Sequence, residues 1–327
     1  MQKEKSRRNR YGRNKKVDLK TISWKYGAVI FFFILFFYNC AVTRNFVRFI
    51  TIQNIFIQSF PIVLISFGMT LVIATGNIDI SCGSGMALAA VLFAFAVRGG
   101  IHPFLAVCLV MVVGAFFGWF CGVLVARFQV QSMIITMAML YMLRGIAKGI
   151  SGGALVSYKN DELSALSYYK IGGVIPIHLV IILIVFLIMY FVVEKTRYGT
   201  YLEASGDNAK AAEIAGVNVS GILISVYVIS GVLAAFSGAQ QCVMVSLADS
   251  SNVGLTREFD AIAATVVGGT PMSGGKPNLV GTLFAALLLQ LINMMVNMNN
   301  IHFALAYVIK AFLIIGAVLI QTYTAKK

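Results

Sequence analysis

The stretch ATGNIDISCGSG, residues Ala74–Gly85, interrupts an otherwise apolar sequence with a carboxylate and a run of turn residues. It follows about twenty nearly uncharged residues, the length of one membrane crossing. A second apolar segment, rich in alanine, comes directly after it. Asp79 stands among glycine, serine, threonine and asparagine residues, whose side chains satisfy backbone groups where a helix ends. The pattern therefore predicts a junction between two membrane-spanning helices.

The composition of the whole chain agrees with this interpretation. Of the 327 residues, 59% are hydrophobic and only 12% are charged, whereas a soluble domain carries about 25% charged residues. The mean hydropathy of +0.86 is also high. Apolar runs this long and this numerous exceed what one globular core needs, so the sequence predicts an all-α, polytopic membrane protein.

The net charge of +14 is concentrated at the N-terminus, where residues 1–25 hold ten Lys or Arg against Glu4 and Asp18. A basic arm of this kind either binds nucleic acid or flanks a first membrane span. Because an apolar run follows directly, we favour a cytoplasmic tail held near anionic lipid headgroups, with no nucleic-acid partner. Residues 26–42 lack a small-residue cleavage site, so we interpret them as a retained helix and not a signal peptide.

Gaps between charged residues delimit the candidate spans. The segment 259–272 is too short to cross a bilayer of about 30 Å as a regular helix. Counting it as a broken crossing places the basic residues at both ends of the chain on the cytoplasmic side. We therefore predict about ten spans in one transmembrane domain, residues 26–323, with both termini cytoplasmic. The other spans lie between Lys25 and Arg44, at Ile55–Ala74, between Asp79 and Arg98, and at Pro103–Arg127, Met133–Ile150, Ile177–Val193, Val219–Gly238, Leu279–Met298 and Phe303–Thr322.

Two glycine-rich stretches fail as nucleotide sites. In GGTPMSGGKP, residues 268–277, Thr270 occupies the first glycine position of a phosphate loop and Pro277 replaces its metal-binding hydroxyl. The stretch GSGMAL, residues 83–88, lacks the third glycine of a dinucleotide fingerprint. Five scattered cysteines and three isolated histidines form no disulfide or zinc pattern. We predict no catalytic residue, no metal and no cofactor bound by this chain.

The polar segment EKTRYGTYLEASGDNAKAAEIAGVNV, residues 194–219, predicts a short helix outside the membrane. Asp207 and Asn208 are good N-cap residues, AKAAEIAG is a strong helix former, and Gly216 suits the C-terminal cap. Small residues in this segment also allow another backbone to approach closely. By residue type alone, an ordinary solvated loop explains the segment equally well.

The segment resembles the coupling loop of bacterial ABC importer permeases, in the form found in ribose-type sugar permeases. Three further stretches resemble motifs of the same family in the same order: GMTLVIATGNIDISCGSGMALAA at 68–90, MIITMAMLYMLRGIAKGISGG at 133–153, and EFDAIAATVVGGTPMSGGKPNLVGTLFAALLLQLIN at 258–293. Together the motifs span nearly the whole apolar core. Asn77, Cys82, Pro277 and Asn278 depart from the family pattern, which leaves the substrate open.

The resemblance implies the membrane subunit of an importer in the bacterial inner membrane. A separate ATPase would use ATP on the cytoplasmic side, an extracytoplasmic binding protein would deliver a sugar or sugar-like solute, and a second permease chain, identical or related, would complete the pathway. Nucleosides and branched-chain amino acids are alternative substrates, and a secondary transporter is an alternative class. The coupling loop, at about 194–218, would use the residues Glu203, Ala204, Ser205, Gly206, Asp207, Asn208, Ala211, Ala212 and Gly216.

Four groups of polar residues have two interpretations each. Asp79 is either a cap at the positive end of the next helix or a gate near the cytoplasmic mouth. We favour the first, and the same alternatives apply to its neighbours in the motif, Thr75, Gly76, Asn77, Ser81 and Gly83. For Arg144 and Lys148, four residues apart on one helix, we favour long side chains that reach the membrane interface over a role inside the bilayer.

Asn293 either lines a solute path or bonds between helices, and we favour the second. Glu258 and Asp260 either pair with Arg257 or face an outer vestibule.

Overall fold

The structure is a computed structural model that describes residues 19–160, 163, 165 and 167–325. Side chains are described from residue 27 to residue 319, with the same internal gaps. Residues 1–18 of the predicted basic tail and the last two lysines lie outside the described part of the chain. The helices are α1 Leu19–Val42, α2 Phe49–Ala74, α3 Cys82–Arg98, α4 Pro103–Phe128, α5 Ser132–Ser151, α6 Ile177–Lys195, α7 Arg197–Asp207, α8 Ala209–Ile214, α9 Val219–Val245, α10 Arg257–Val267, α11 Leu279–Met298 and α12 Ala304–Ala325.

Two small antiparallel pairs accompany the helices. Strand β1 (Val156–Ser157) pairs with β4 (Leu247–Ala248), and β2 (Lys170–Ile171) pairs with β3 (Ile175–Pro176). Each strand has only two residues, so the sheets close loops and do not build a layer. The predicted all-α class is confirmed.

Six helices are long and apolar enough to cross a membrane, namely α2, α4, α5, α6, α9 and α11. Shorter apolar helices occur within α1, α3 and α12. These nine apolar helices of the described part of the chain agree with a polytopic membrane protein. Helix α10 has only eleven residues, too few to cross a bilayer as a regular helix, so the tenth, broken crossing at 259–272 stays a prediction.

The start of α2 differs from the prediction, because the helix begins at Phe49 and not near Ile55. Its extra turns contain Gln53, which donates to the backbone carbonyl of Val174 and accepts from Lys170 Nζ at 2.7 Å. A polar side chain inside an apolar helix is stable when its groups are paired in this way. These partners lie more than a hundred positions away, and no local pattern indicates them.

The loops fall at two ends of the bundle. At one end, which we call the coupling face, the backbone N–H of Gly275 donates to the carbonyl of Ala74 at 2.8 Å, and α7 packs close by. The other end, which we call the hairpin face, contains the β2–β3 hairpin. There Asn299 Nδ2 donates to Thr43 Oγ1 at 3.0 Å. Successive spans therefore run in alternating directions. That the coupling face is cytoplasmic remains a prediction.

Helix α9 forms the centre of the bundle and packs against α2, α3 and α4. Its contact with α4 depends on glycines one turn apart, because a Cβ atom at Gly114, Gly118 or Gly122 would collide with the α9 backbone. On the other side, α2 is the most buried of the long helices and packs against α10 and α11. Small residues at helix contacts are the usual way for membrane helices to gain van der Waals packing.

Candidate functional site

The junction between α2 and α3 uses its polar side chains to satisfy the turn. Thr75 Oγ1 donates to the carbonyl of Val72 at 2.7 Å, and Asn77 Nδ2 donates to Thr75 Oγ1 at 3.0 Å. Gly76 adopts a φ of 76°, which a side chain would disfavour. Thr75 therefore bonds to the last turn of α2 and Asn77 bonds to Thr75, the turn role predicted for this motif.

Asp79 is buried inside the bundle, with 4% of its surface exposed. Its Oδ1 accepts from the N–H of Ser81 at 2.9 Å and from Ser81 Oγ at 2.6 Å, and its Oδ2 accepts from Ser230 Oγ at 2.8 Å. The two bonds from Ser81 hold the turn just ahead of α3, but among the described residues no side chain caps the first N–H groups of that helix, so the predicted cap takes the form of a turn before the helix. The bond to Ser230, on the central helix α9, was not foreseen.

The depth of Asp79 follows from its partner on α9. Ser230 lies eleven residues beyond Val219, the start of α9 at the coupling face, which is about 16 Å along the helix. The chain at 77–79, which has no regular secondary structure, therefore re-enters the bundle before α3 starts. Irregular backbone at this depth is stable only where protein surrounds it. Gly83 leaves the space for this, because a Cβ there would collide with Glu258 and with the carbonyl of Gly254.

The predicted short helix outside the membrane consists of α7 and α8. Asn208 caps α8, since its Oδ1 accepts from the N–H of Ala211 at 3.0 Å. Asp207, the other predicted cap, is instead the last residue of α7. Gly216 follows α8 with a φ of 85°, and the N–H of Val217 donates to Ala212 O at 3.0 Å, as in a helix end with a left-handed glycine.

The small residues of this segment divide between an inner and an outer side. Gly206 contacts its own chain, because a Cβ there would collide with the carbonyl of Ala74 and the N–H of Gly275. Ala212 is buried as well. Their close packing is thus internal, which differs from the interpretation that they admit a partner's backbone. The rest of α8 is exposed, and Ile214, at 90% exposure, was missed because an isolated isoleucine gave no signal in the sequence.

Three segments meet where Gly206 packs. Gly274 and Gly275 have φ angles of 91° and 113°, and a Cβ at Gly274 would lie 2.7 Å from the carbonyl of Gly206 and 3.0 Å from the N–H of Gly76. We call Gly76, Gly206, Gly274 and Gly275 the glycine hub. It joins the end of α2, the end of α7 and the turn between α10 and α11 without a gap.

Tyr198 fixes the other end of α7. Its hydroxyl shares a hydrogen bond of 2.8 Å with Ser225 Oγ on α9. Burial raises the pKa of Tyr198, and the bond with Ser225 offsets part of that increase. The phenol therefore stays neutral near pH 7 and serves as a fixed contact.

The Arg144 side chain bonds to carbonyls within the protein, an arrangement that differs from the favoured interpretation of a side chain extended to the membrane interface. Its Nη1 donates to the carbonyls of Ser250 at 3.1 Å and Val253 at 2.6 Å. These bonds hold the loop between α9 and α10 inside the bundle. Lys148, one turn later, is exposed, which agrees with the long, outward-reaching side chain predicted for both residues. The sequence could not identify the loop carbonyls, which lie more than a hundred positions away.

Asp260 pairs with a residue that sequence reasoning missed. Lys310 Nζ on α12 donates to both carboxylate oxygens, at 2.9 and 3.1 Å, and Arg257 lies at 3.8 Å. Pairing with Arg257 is therefore confirmed, but it is the weaker contact. Lys310 lies inside an apolar span, and an ionisable residue in that position is itself a signal of function. Glu258 is buried, and its Oε2 has no hydrogen-bond partner among the described residues.

A polar cavity of about 310 Å³ lies between α2, α10, α11 and α12. Asn293 and Asn297 line it from α11, and Asp260 and Lys310 line it from the other two spans. The lining also includes Phe303, which is 62% exposed beside the start of α12. The cavity is therefore near the hairpin face, far from the glycine hub. No cluster of His, Cys, Asp or Glu suited to a metal occurs in the described part of the chain.

Comparison with known proteins gives a consistent result. The sequence profile described as branched-chain amino acid transport system / permease component matches residues 51–318. The ribose import permease protein RbsC of Escherichia coli (strain K12) is 36% identical over 280 residues, covering 84% of this chain and 87% of the relative. RbsC of Bacillus subtilis (strain 168) is 31% identical over 312 residues, covering 94% and 95%.

A further relative is the galactofuranose transporter permease protein YtfT of Escherichia coli (strain K12), which is 32% identical over 264 residues, covering 80% of this chain and 76% of the relative. No solved structure matches the chain. The profile covers the bundle from α2 to α12 together with the junction, the α7–α8 segment and the cavity. This chain is a multi-pass membrane protein and belongs to the branched-chain amino acid transport system / permease component family.

Proposed function

We propose that the chain is the membrane subunit of an ABC importer for a sugar, located in the bacterial inner membrane. The observation that carries the proposal is the exposed α8, which is joined through the glycine hub to the junction and to the α10–α11 turn. Relatives named for ribose and galactofuranose favour a sugar over the nucleosides and branched-chain amino acids that also suit the family. A separate ATPase, a binding protein and a second permease chain complete the importer.

The ATPase docks on α8 in this proposal. Every residue of α8 except Ala212 is exposed, and Ile214 presents the one large apolar side chain of this helix, beside Lys210 and Glu213. An exposed apolar residue of this size is a suitable anchor for a pocket on a partner. Displacement of α8 moves α7 with it, because the two helices share Asn208 as a cap.

The glycine hub then passes the displacement into the bundle. Since no gap separates Gly206 from Ala74 and Gly275, a shift of α7 cannot be absorbed locally. One route leads through the end of α2 to the Asp79 junction. The other leads through the α10–α11 turn.

Helices α2, α10 and α11 respond to this displacement together. Thr70 Oγ1 lies 2.9 Å from Thr282 Oγ1 and 3.4 Å from Thr265 Oγ1, and all three side chains are fully buried. These hydroxyls tie the three helices to one another. Helix α10 has eleven residues, about 16 Å, and it connects the hub end to Arg257 and Asp260 at the cavity.

The alternative of a secondary transporter needs ionisable groups inside the bundle. The bundle contains more of them than the sequence indicated, namely Asp79, Arg144, Asp260 and Lys310. Each has fixed partners, either Ser hydroxyls, backbone carbonyls or the Asp260–Lys310 pair. These four groups are thus accounted for without a proton-coupled cycle, whereas the buried Glu258, whose Oε2 has no hydrogen-bond partner in the described part of the chain, is a fifth ionisable group without such an account.

The proposal is tested by uptake in proteoliposomes that contain the chain with its ATPase and binding protein. We expect D-ribose or another monosaccharide to enter in an ATP-dependent manner, and uptake to continue when a protonophore collapses the proton gradient. Uptake of uridine or leucine in place of any sugar would contradict the sugar assignment. Uptake that needs the proton gradient and no ATPase would contradict the importer class.

A second experiment tests the docking surface. We expect Ile214→Asp to weaken binding of the ATPase to the purified permease while its thermal unfolding stays unchanged, because the side chain packs on nothing in this chain. Lys210→Ala on α8 is the matched control, because it also lowers the charge of the helix by one unit and leaves Ile214 in place. Equal ATPase binding by Ile214→Asp and the unaltered chain would contradict the proposed anchor.

A further inference from the structure

The cavity between α2, α10, α11 and α12 has a lining whose chemistry identifies a class of ligand. We infer that it is a chamber in which a neutral, hydroxyl-rich solute binds during passage through this subunit. The inference rests on the proposed function, since it assumes that a sugar crosses here. It adds a location and a set of binding residues that this permease chain contributes to the pathway.

Amide side chains dominate the polar part of the lining. Gln290 Nε2 donates to Gln58 Oε1 at 3.0 Å, which fixes both amides and leaves Gln58 Nε2 as a donor and Gln290 Oε1 as an acceptor. A sugar hydroxyl both donates and accepts, so a pair of oriented amides can bind adjacent hydroxyls. The two glutamines come from α2 and α11, and a ligand between them would contact both helices.

Asn293 and Asn297 extend this polar surface along α11. They are one helical turn apart and therefore share one face of the helix. Neither side chain makes a hydrogen bond with another residue in the described part of the chain, although Asn299, just beyond them, bonds to Thr43. Interhelical bonding, the alternative role for Asn293, is thus not observed. The free amide groups are available to a solute.

The charged groups of the cavity are one carboxylate, Asp260, and two cations, Lys310 and Arg257, and the anionic D-gluconate used below tests the positive charge left over. Asp260 accepts from Lys310 through both oxygens and lies 3.8 Å from Arg257, so the carboxylate has no need of a cation from solution. This arrangement disfavours a cationic ligand. The amides, which carry no charge, suit a neutral one.

The apolar part of the lining suits a sugar as well. Phe303 and Tyr307 border the same cavity, at 62% and 53% exposure. A monosaccharide has C–H groups on its ring faces and hydroxyls at its edges. Aromatic surface beside a few placed polar groups is the usual make-up of a small-molecule site.

The place of the cavity in the bundle agrees with a chamber on the way in. It lies near the hairpin face, which is the extracytoplasmic side on the predicted topology, and α10 connects it to the turn at the glycine hub. A displacement that begins at α8 and reaches the glycine hub can therefore be carried along α10, over about 16 Å, to the chamber.

The experiment measures ATP-dependent uptake of D-ribose, D-fructose and D-galactose by the complete importer in proteoliposomes. We expect the double variant Asn293→Leu, Asn297→Leu to lower the uptake rate of the transported sugar about tenfold or more, as the loss of two hydrogen bonds implies. The amount of folded protein should stay unchanged, as measured by size-exclusion chromatography. The control Gln131→Leu, which changes an exposed amide outside the cavity that makes no side-chain cap bond to α5, should import at the unaltered rate.

A second measurement detects the solute directly. Asn297→Cys, in a chain with Cys40 and Cys108 replaced by serine, should react with a membrane-impermeant thiol reagent, and the transported sugar should slow that reaction. D-gluconate, an anionic polyol, should slow it less. Stronger protection by D-gluconate than by the sugar would overturn the neutral ligand class.

The possible failures are distinct. If the unaltered importer moves a sugar and both the double variant and the protection assay show no effect, the chamber is wrong and the proposed function stands. If the unaltered importer moves no sugar at all, the proposed function is wrong and the chamber falls with it.

Discussion

Asp79 illustrates at the scale of a residue how a carboxylate is held inside a membrane bundle. A charge at this depth is costly unless polar groups surround it. Ser81 and Ser230 provide three hydrogen bonds to its two oxygens. The carboxylate therefore fixes the start of α3 to the middle of α9, whatever further role it has as a gate.

We predict that Asp79→Asn keeps the fold, because the side-chain carbonyl still accepts from Ser81 and the Ser230 hydroxyl can rotate to accept from the new amide. Asp79→Leu should lower the free energy of unfolding by about 2–4 kcal/mol, since it leaves buried donors without acceptors. Thermal unfolding in detergent measures both changes. Sugar uptake by Asp79→Asn then tests the gate separately, and normal uptake would exclude a role that needs the charge.

Arg144 and Lys148 form a natural pair for a second prediction at this scale. Arg144→Met should lower the free energy of unfolding by about 2–3 kcal/mol, because it removes charged hydrogen bonds to the carbonyls of Ser250 and Val253. Lys148→Met on the same helix should change it by less than about 0.5 kcal/mol, since the side chain is exposed. Chemical or thermal unfolding of the two variants side by side gives the comparison. Equal destabilisation by both would mean that the Arg144 contacts do not hold the loop.

At the scale of an element, the helix ends could be predicted from the sequence more easily than the helix contacts could. Charged residues and proline mark where a span stops, so α11 was predicted at the residues that form it, Leu279–Met298. Contacts depend on which faces meet, and one sequence does not state that. The glycines of α4 carried a signal in their four-residue spacing, yet their partner α9 starts almost a hundred positions later.

We predict that Gly118→Ala disrupts the packing of α4 on α9. The new Cβ would collide with the backbone of Tyr227, and overpacking of this kind costs about 1–3 kcal/mol or more. Gly149→Ala on α5 is the matched control, because no atom lies within 4 Å of a Cβ there. The melting temperature should fall for the first variant and stay level or rise for the second. A similar fall in both would indicate a general effect of alanine in place of glycine.

At the scale of the whole molecule, the coupling segment, the junction and the cavity are parts of one connected path. The motifs of the sequence identified the first two, because capping and turn residues have recognisable local patterns. They did not identify the cavity, since its wall depends on Lys310, Asp260 and Gln58 coming together from three separate spans. Asn293 was the one cavity residue that the sequence brought forward as a pathway candidate, and its role there remains a proposal.

We predict that Gly206→Ala separates ATP hydrolysis from transport in the complete importer. Its Cβ would force α7 away from Ala74 and Gly275, so displacement of α8 would no longer reach α10. ATP hydrolysis should continue while sugar uptake per ATP falls several-fold. Gly145→Ala on α5 is the control, because no atom lies within 4 Å of a Cβ there and the residue is outside the coupling segment. Normal uptake per ATP by Gly206→Ala would show that the hub transmits nothing.

The bond between Asp79 and Ser230 also has a consequence for how the chain is made. The two residues are 151 positions apart, so a ribosome that adds about 5–20 residues per second releases the aspartate about 8–30 s before its partner. During that interval α3 has been made and α9, whose Ser230 donates a hydrogen bond to Asp79, has not. Nascent chains that stop short of α9 therefore expose an incompletely bonded carboxylate, a defect that membrane quality control can recognise.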